Sequence, residues 1–116
     1  MATNLDFTIV QGEDQELFTT QYLDEEGVAV DLSDCSFRMS AKDSIVSSPF
    51  LDFDSTIDTS NMIVNGSSLT VKLTHTQSKA LEVSGGFYDL WIIDSLGQKF
   101  KLLYGNITVD RSVTDV

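Results

Sequence analysis

Period-two alternation of apolar and polar residues constrains this chain more than any other feature. Leu69, Val71 and Leu73 are interleaved with Thr70, Lys72 and Thr74; Phe37, Met39 and Ala41 with Arg38, Ser40 and Lys42; Phe7 and Ile9 with Asp6 and Thr8. Successive side chains of a strand point to opposite faces, so each run specifies a strand with one buried face. Leu51 and Phe53 repeat the pattern against Asp52 and Asp54, and residues 16–23 are rich in the Leu, Phe, Thr and Tyr that suit a pleated surface. The run Phe87-Tyr88-Asp89-Leu90-Trp91-Ile92-Ile93 is apolar on both faces except at Asp89. Residues 99–104 and 106–110 read as a final pair of strands or one bent strand.

Turn residues separate these runs at strand-like spacing. Asp24-Glu25-Glu26-Gly27 and Asp94-Ser95-Leu96-Gly97 each end in a glycine, and Asn65-Gly66 marks a hairpin between residues 62–64 and 69–71. The Ser- and Pro-containing stretch 43–49 is the longest expected loop. One segment reads as helix: Thr74 with Gln77 forms a capping-box pattern, and Lys79-Ala80-Leu81-Glu82 favours helix, giving about two turns near residues 75–82. About seven or eight short strands with one short helix specify an all-β, mainly antiparallel β-sandwich. Its expected core is Phe7, Ile9, Phe37, Met39, Leu69, Val71, Leu73, Tyr88, Leu90, Ile92, Phe100, Leu102 and Ile107.

At 116 residues, the chain is expected to form a single domain, 1–116, with no repeat or linker. A net charge of -11 disfavours nucleic acid, whose binding rests on cations neutralising phosphates, and anionic membranes likewise. Residues 1–6 carry no basic region and no long apolar run, so no signal peptide is expected. Cys35 is the single cysteine and excludes an intramolecular disulfide; its alternating surroundings read as core strand, and the lack of disulfides fits assembly in a reducing cytoplasm.

Catalytic patterns are weak. His75 is the single histidine, so one chain cannot build a multi-histidine metal centre. Cys35 and His75 would serve as a nucleophile pair only if the fold joined them, and no nucleophile-elbow or phosphate-loop motif is present. Asp52, Asp54 and Asp58 offer alternating carboxylates suited to calcium, but without EF-hand spacing; a solvated strand face explains them more simply. The expectation is a non-enzyme with no cofactor.

Two stretches resemble small structural proteins of tailed bacteriophages. The first is Phe7-Thr8-Ile9-Val10-Gln11-Gly12-Glu13-Asp14, followed by an acidic Gly turn and the corner Val30-Asp31-Leu32-Ser33. The second runs from Leu69 to Thr74 through Gly86-Phe87-Tyr88-Asp89-Leu90 and Asp94–Gly97 to Gly105-Asn106-Ile107-Thr108-Val109, with Val113-Thr114 as the ending. The resemblance implies an immunoglobulin-like sandwich and a virion role, as a baseplate, tail-associated or fibre-adaptor component without catalytic residues. It further implies partners among other virion proteins, including copies of this chain, and assembly in the host cytoplasm. Capsid decoration and a free carbohydrate-binding or adhesin-like module are the alternatives; Trp91 with Asp89, or Tyr22 with Gln21, hint at the latter. The candidate interface is Phe87, Trp91 and Ile93, on the strand face opposite Tyr88, Leu90 and Ile92, although burial of Trp91 in the core fits the pattern equally. Strands near residues 5–10 and 106–110 are the candidate sheet edges.

Overall fold

This computed structural model describes residues 2–44 and 47–113. The strands are β1 (Thr3–Asn4), β2 (Phe7–Val10), β3 (Gln15–Gln21), β4 (Ser36–Lys42), β5 (Leu51–Asp54), β6 (Met62–Asn65), β7 (Ser68–Leu73), β8 (Gly85–Ile93) and β9 (Lys99–Asp110), with one helix, α1 (His75–Lys79). The larger sheet has the order β1-β9-β8-β4-β5, with β2 also on β9; the smaller is β3-β7-β6. The connections β2–β3, β3–β4, β5–β6 and β7–β8 each cross between the sheets. Three strands opposing a larger sheet through such crossings are the arrangement of the immunoglobulin-like sandwich.

Pairing is antiparallel except at the N-terminus. Thr3 lies opposite Leu103 and Phe7 opposite Ile107, both parallel, so β1 and β2 keep one register and form a single edge strand interrupted at Leu5 and Asp6. Among the described residues that leaves eight strands in effect, and it corrects one edge assignment. Residues 106–110 lie between β8 and β2, inside the sheet, while residues 7–10 form its edge. The interruption sits over Gly105, where a Cβ would stand 2.2 Å from the Leu5 carbonyl oxygen. Glycine is therefore required there for close approach of the edge strand.

The alternating residues meet between the sheets. Phe37, Met39, Ala41, Leu69, Val71, Leu90, Ile92 and Ile9 are essentially sealed from solvent. Phe7 and Tyr88 from the larger sheet and Phe18 from the smaller form a three-ring contact across the sandwich, with centroids 4.9 to 6.1 Å apart. Phe100 does not belong to this core, and remains 42% exposed. It pairs with inward-facing Ile92 in register, but at the end of the sheet, where its inner side is covered by stacking on Tyr22 at 6.5 Å.

The helix starts where its capping box places it. Thr74 accepts from the Gln77 N–H, and Gln77 bonds back to the Thr74 N–H. It ends at Lys79, three residues short of the expected 82, because Leu81 turns into the core. The Gln11 side-chain amide then takes up the Lys79 and Leu81 carbonyls. The Gln11-to-Asp14 motif is a clamp on this helix. The Gly12 N–H donates to buried Ser78 Oγ, Ser78 donates to the Glu13 carbonyl, and Asp14 accepts from the His75 N–H. The Asp31 corner works as its sequence suggests: Asp31 Oδ1 accepts from the Ser33 N–H while Leu32 is fully buried.

Candidate functional site

Three strands of the larger sheet place the candidate residues. On β8 the residues Tyr88, Leu90 and Ile92 point inward, so Phe87, Asp89, Trp91 and Ile93 point outward. Phe87 is 39% and Trp91 36% exposed, and Ile93 is partly covered. Trp91, which alternation alone left between core and surface, lies on the outer face.

The outward residue the sequence reading missed is Tyr104, 42% exposed. Leu90 pairs with Leu103 but Trp91 pairs with Lys101, so β9 carries a bulge at Leu102. A bulge inserts one residue and changes which residues face the core. Leu102 and Leu103 are consequently both buried, and beyond them the even-numbered residues Tyr104, Asn106 and Thr108 face outward. The signal was the adjacent pair Leu102-Leu103, which breaks the alternation.

Register arranges this face in rows. Phe87 lies between Lys42 and Asn106; Asp89 between Ser40 and Tyr104, with Asn4 beyond; Trp91 between Arg38 and Lys101. Lys101 Nζ stands 5.5 Å from the Trp91 ring and 3.8 Å from Asp89, and Arg38 reaches Asp52 at 3.4 Å and Asp54 at 3.8 Å. An open groove of about 540 Å³ runs between Phe87, Asp89 and Tyr104, edged by Asn4, Lys42 and Asn106. The smaller sheet presents a more polar outer face, where Thr19 and Thr70 share a hydroxyl hydrogen bond.

The other candidate chemistry resolves into local structure. Asp54 accepts from both the Thr56 hydroxyl and N–H, which holds its carboxyl below the usual aspartate range, with Arg38 assisting. Asp58 accepts from the Asp54 N–H, and Asp52 from the Ser40 hydroxyl. These three carboxylates serve turns and strand pairs, and among the described residues no group of three or more His, Cys, Asp or Glu is placed to hold a metal ion. Burial pushes the Cys35 thiol above its usual value, and Asp94, Asp34 and Asp31 add to the shift. The His75 ring lies 3.0 Å from Asp14, whose carboxyl is lowered chiefly by the His75 N–H. Each has its own neighbours and its own local explanation. Among the described residues no helix is long and apolar enough to cross a membrane.

No family model matches the chain, and no curated protein matches it. Among solved structures, extracellular domains 3–5 of Drosophila OTK align with 90% of this chain at 13% identity and a TM-score of 0.40. The chain spans 32% of that structure's length.

Proposed function

We propose that this chain is a non-catalytic structural component of a tailed-bacteriophage particle, a baseplate or tail-associated adaptor held by protein–protein contacts. The observation that carries the docking role is the outer face of the larger sheet, where Phe87, Trp91 and Tyr104 stand exposed on three-dimensionally ordered strands. Aromatic residues exposed together on a rigid face are what a protein interface uses as anchors. The phage assignment rests on the sequence resemblance. It is supported by the work its motif residues do: Gln11, Asp14, Asp31 and Gly105 each hold the framework together, as a structural component requires. The test is mass spectrometry of purified phage particles carrying this gene. Stoichiometric presence in intact particles, lost on Trp91→Asp with Phe87→Asp, is expected; absence from particles refutes the reading.

One observation favours a second reading. The groove places the amides of Asn4 and Asn106 and the carboxylate of Asp89 around the Phe87 and Tyr104 rings. Rings flanked by amides and carboxylates also suit a saccharide, whose C–H face stacks while its hydroxyls hydrogen-bond. Titration with a panel of cell-wall oligosaccharides distinguishes this module from the adaptor.

A further inference from the structure

The charges are unevenly placed. Arg38, Lys42, Lys99 and Lys101, four of the seven cations, face outward on the larger sheet. The outward strand residues of the same sheet carry four carboxylates, Asp52, Asp54, Asp89 and Asp110. This strand face is therefore neutral, and the remaining three cations and fourteen acids carry the whole net charge of -11.

We infer that this face is a two-fold interface with a second copy of the chain, in which Trp91 of each copy seats in the groove between Phe87, Asp89 and Tyr104 of the other. The inference deepens the docking role proposed above and rests on it. Electrostatics selects the occupant. A basic partner is drawn to the acidic surfaces elsewhere, whereas an identical molecule at -11 is repelled everywhere except where the charge cancels. On the neutral face each sign is present, and a two-fold axis between Asp89 and Trp91 lays the Asp89 carboxylate of one copy over the Trp91 row of the other, between Arg38 and Lys101.

Shape agrees. An isologous interface needs a projection and its receptor on one surface, because residue i meets j and j meets i. Trp91, outward-facing and 36% exposed beside Lys101, is the side chain offered, and the groove of about 540 Å³ lies one row away, at Asp89. A two-fold axis crossing the strands between Asp89 and Trp91 superposes each Trp91 on the partner's groove. Size agrees as well. Nine residues of β8 span roughly 30 Å and five strand positions roughly 20 Å, a face of about 600 Å² before side-chain relief. That approaches the ~800 Å² that each partner of a stable complex buries.

The test is sedimentation equilibrium of the purified chain over a wide concentration range at low and at 0.5 M salt. Dimers are expected, and they strengthen with salt, because screening removes repulsion between the acidic remainders while the apolar contact persists. Trp91→Ala is expected to weaken dimerisation at least about thirtyfold, as a central hot spot does. Tyr104→Ser, at the groove wall, weakens it separately, and a thermal midpoint unchanged at a dilution where the parent chain is monomeric shows that each variant is folded. A chain that stays monomeric at millimolar concentration in both salts overturns the inference, as does a dimer indifferent to both substitutions. A monomer still found in particles through Phe87 and Trp91 overturns this inference alone; a dimer absent from particles overturns the virion role alone.

Discussion

The side-chain amide of Gln15 grips both polar groups of the Val10 backbone: Nε2 donates to the Val10 carbonyl at 2.8 Å, and Oε1 accepts from the Val10 N–H at 2.9 Å. Val10 ends the edge strand of the larger sheet, and Gln15 begins an edge strand of the smaller. One side chain thus stands in for a neighbouring strand at the point where the chain changes sheets, and it occupies edge groups that would otherwise accept an added strand.

Gln15→Ala should therefore destabilise the fold by about 1–3 kcal/mol, the effect of leaving the partly buried Val10 N–H unpaired while its carbonyl keeps only the Glu13 N–H. Gln15→Glu keeps the acceptor but cannot donate to the Val10 carbonyl, and should lose much of the same stability at neutral pH. Urea midpoints of the three proteins check this, and unchanged midpoints would show that water replaces the amide at no cost.

Leu90 and Phe100 were both expected in the core, and only Leu90 is sealed there. Leu90→Ala should cost about 2–5 kcal/mol, and Phe100→Ala clearly less, because its ring already meets solvent beyond Tyr22. Equal losses would place Phe100 deeper than the structure does.

That contrast shows where sequence legibility ends. Alternation identified β4, β7 and β8 and their inward faces, because a residue's face follows from local period alone. It could not reveal how far along the sheet the opposing sheet extends, which decides that Phe100 sits at a rim. Nor did it locate the interruption at Leu5 and Asp6, which exists only against Gly105, about a hundred positions away. The outer face was half legible. Phe87 and Trp91 were read from their own strand, whereas Asn4 and Tyr104 join them through parallel pairing and a bulge, and both are products of tertiary structure.

Gly105→Ala tests that interruption. The new methyl would meet the Leu5 carbonyl oxygen and Asp6 Oδ1, and backbone cannot move aside as a flexible side chain can. The edge segment should lift, breaking the Leu5 N–H bond to the Tyr104 carbonyl and the Asn106 N–H bond to Asp6. An overpacking loss of about 1–3 kcal/mol is expected, with faster amide exchange confined to Leu5 and Asn106 and their neighbours. Uniformly faster exchange would contradict a local role.

The same segment controls Tyr88. Its hydroxyl donates to the Leu5 carbonyl at 2.5 Å beneath the edge strand, and the side chain is only 3% exposed. Burial penalises the phenolate, and the Asp6 carboxylate adds repulsion, so ionisation is pushed from 10.0 up to about 12. Once unfolded, Tyr88 ionises near its ordinary value. Between pH 10 and about 12, then, the unfolded chain has released a proton that the folded chain retains, and linkage favours unfolding. The stability due to the neutral phenol is fully present below pH 10 and is lost as pH rises to about 12. Urea midpoints from pH 8 to 12 should fall across that window in the parent protein. Tyr88→Phe should start lower, by about 1 kcal/mol for the lost hydrogen bond, and then decline less steeply, since phenylalanine has no proton to release. Asp6→Asn should bring phenolate absorbance at 295 nm in at lower pH by removing the facing charge. Parallel declines of the parent and Tyr88→Phe above pH 10 would assign alkaline unfolding to other groups.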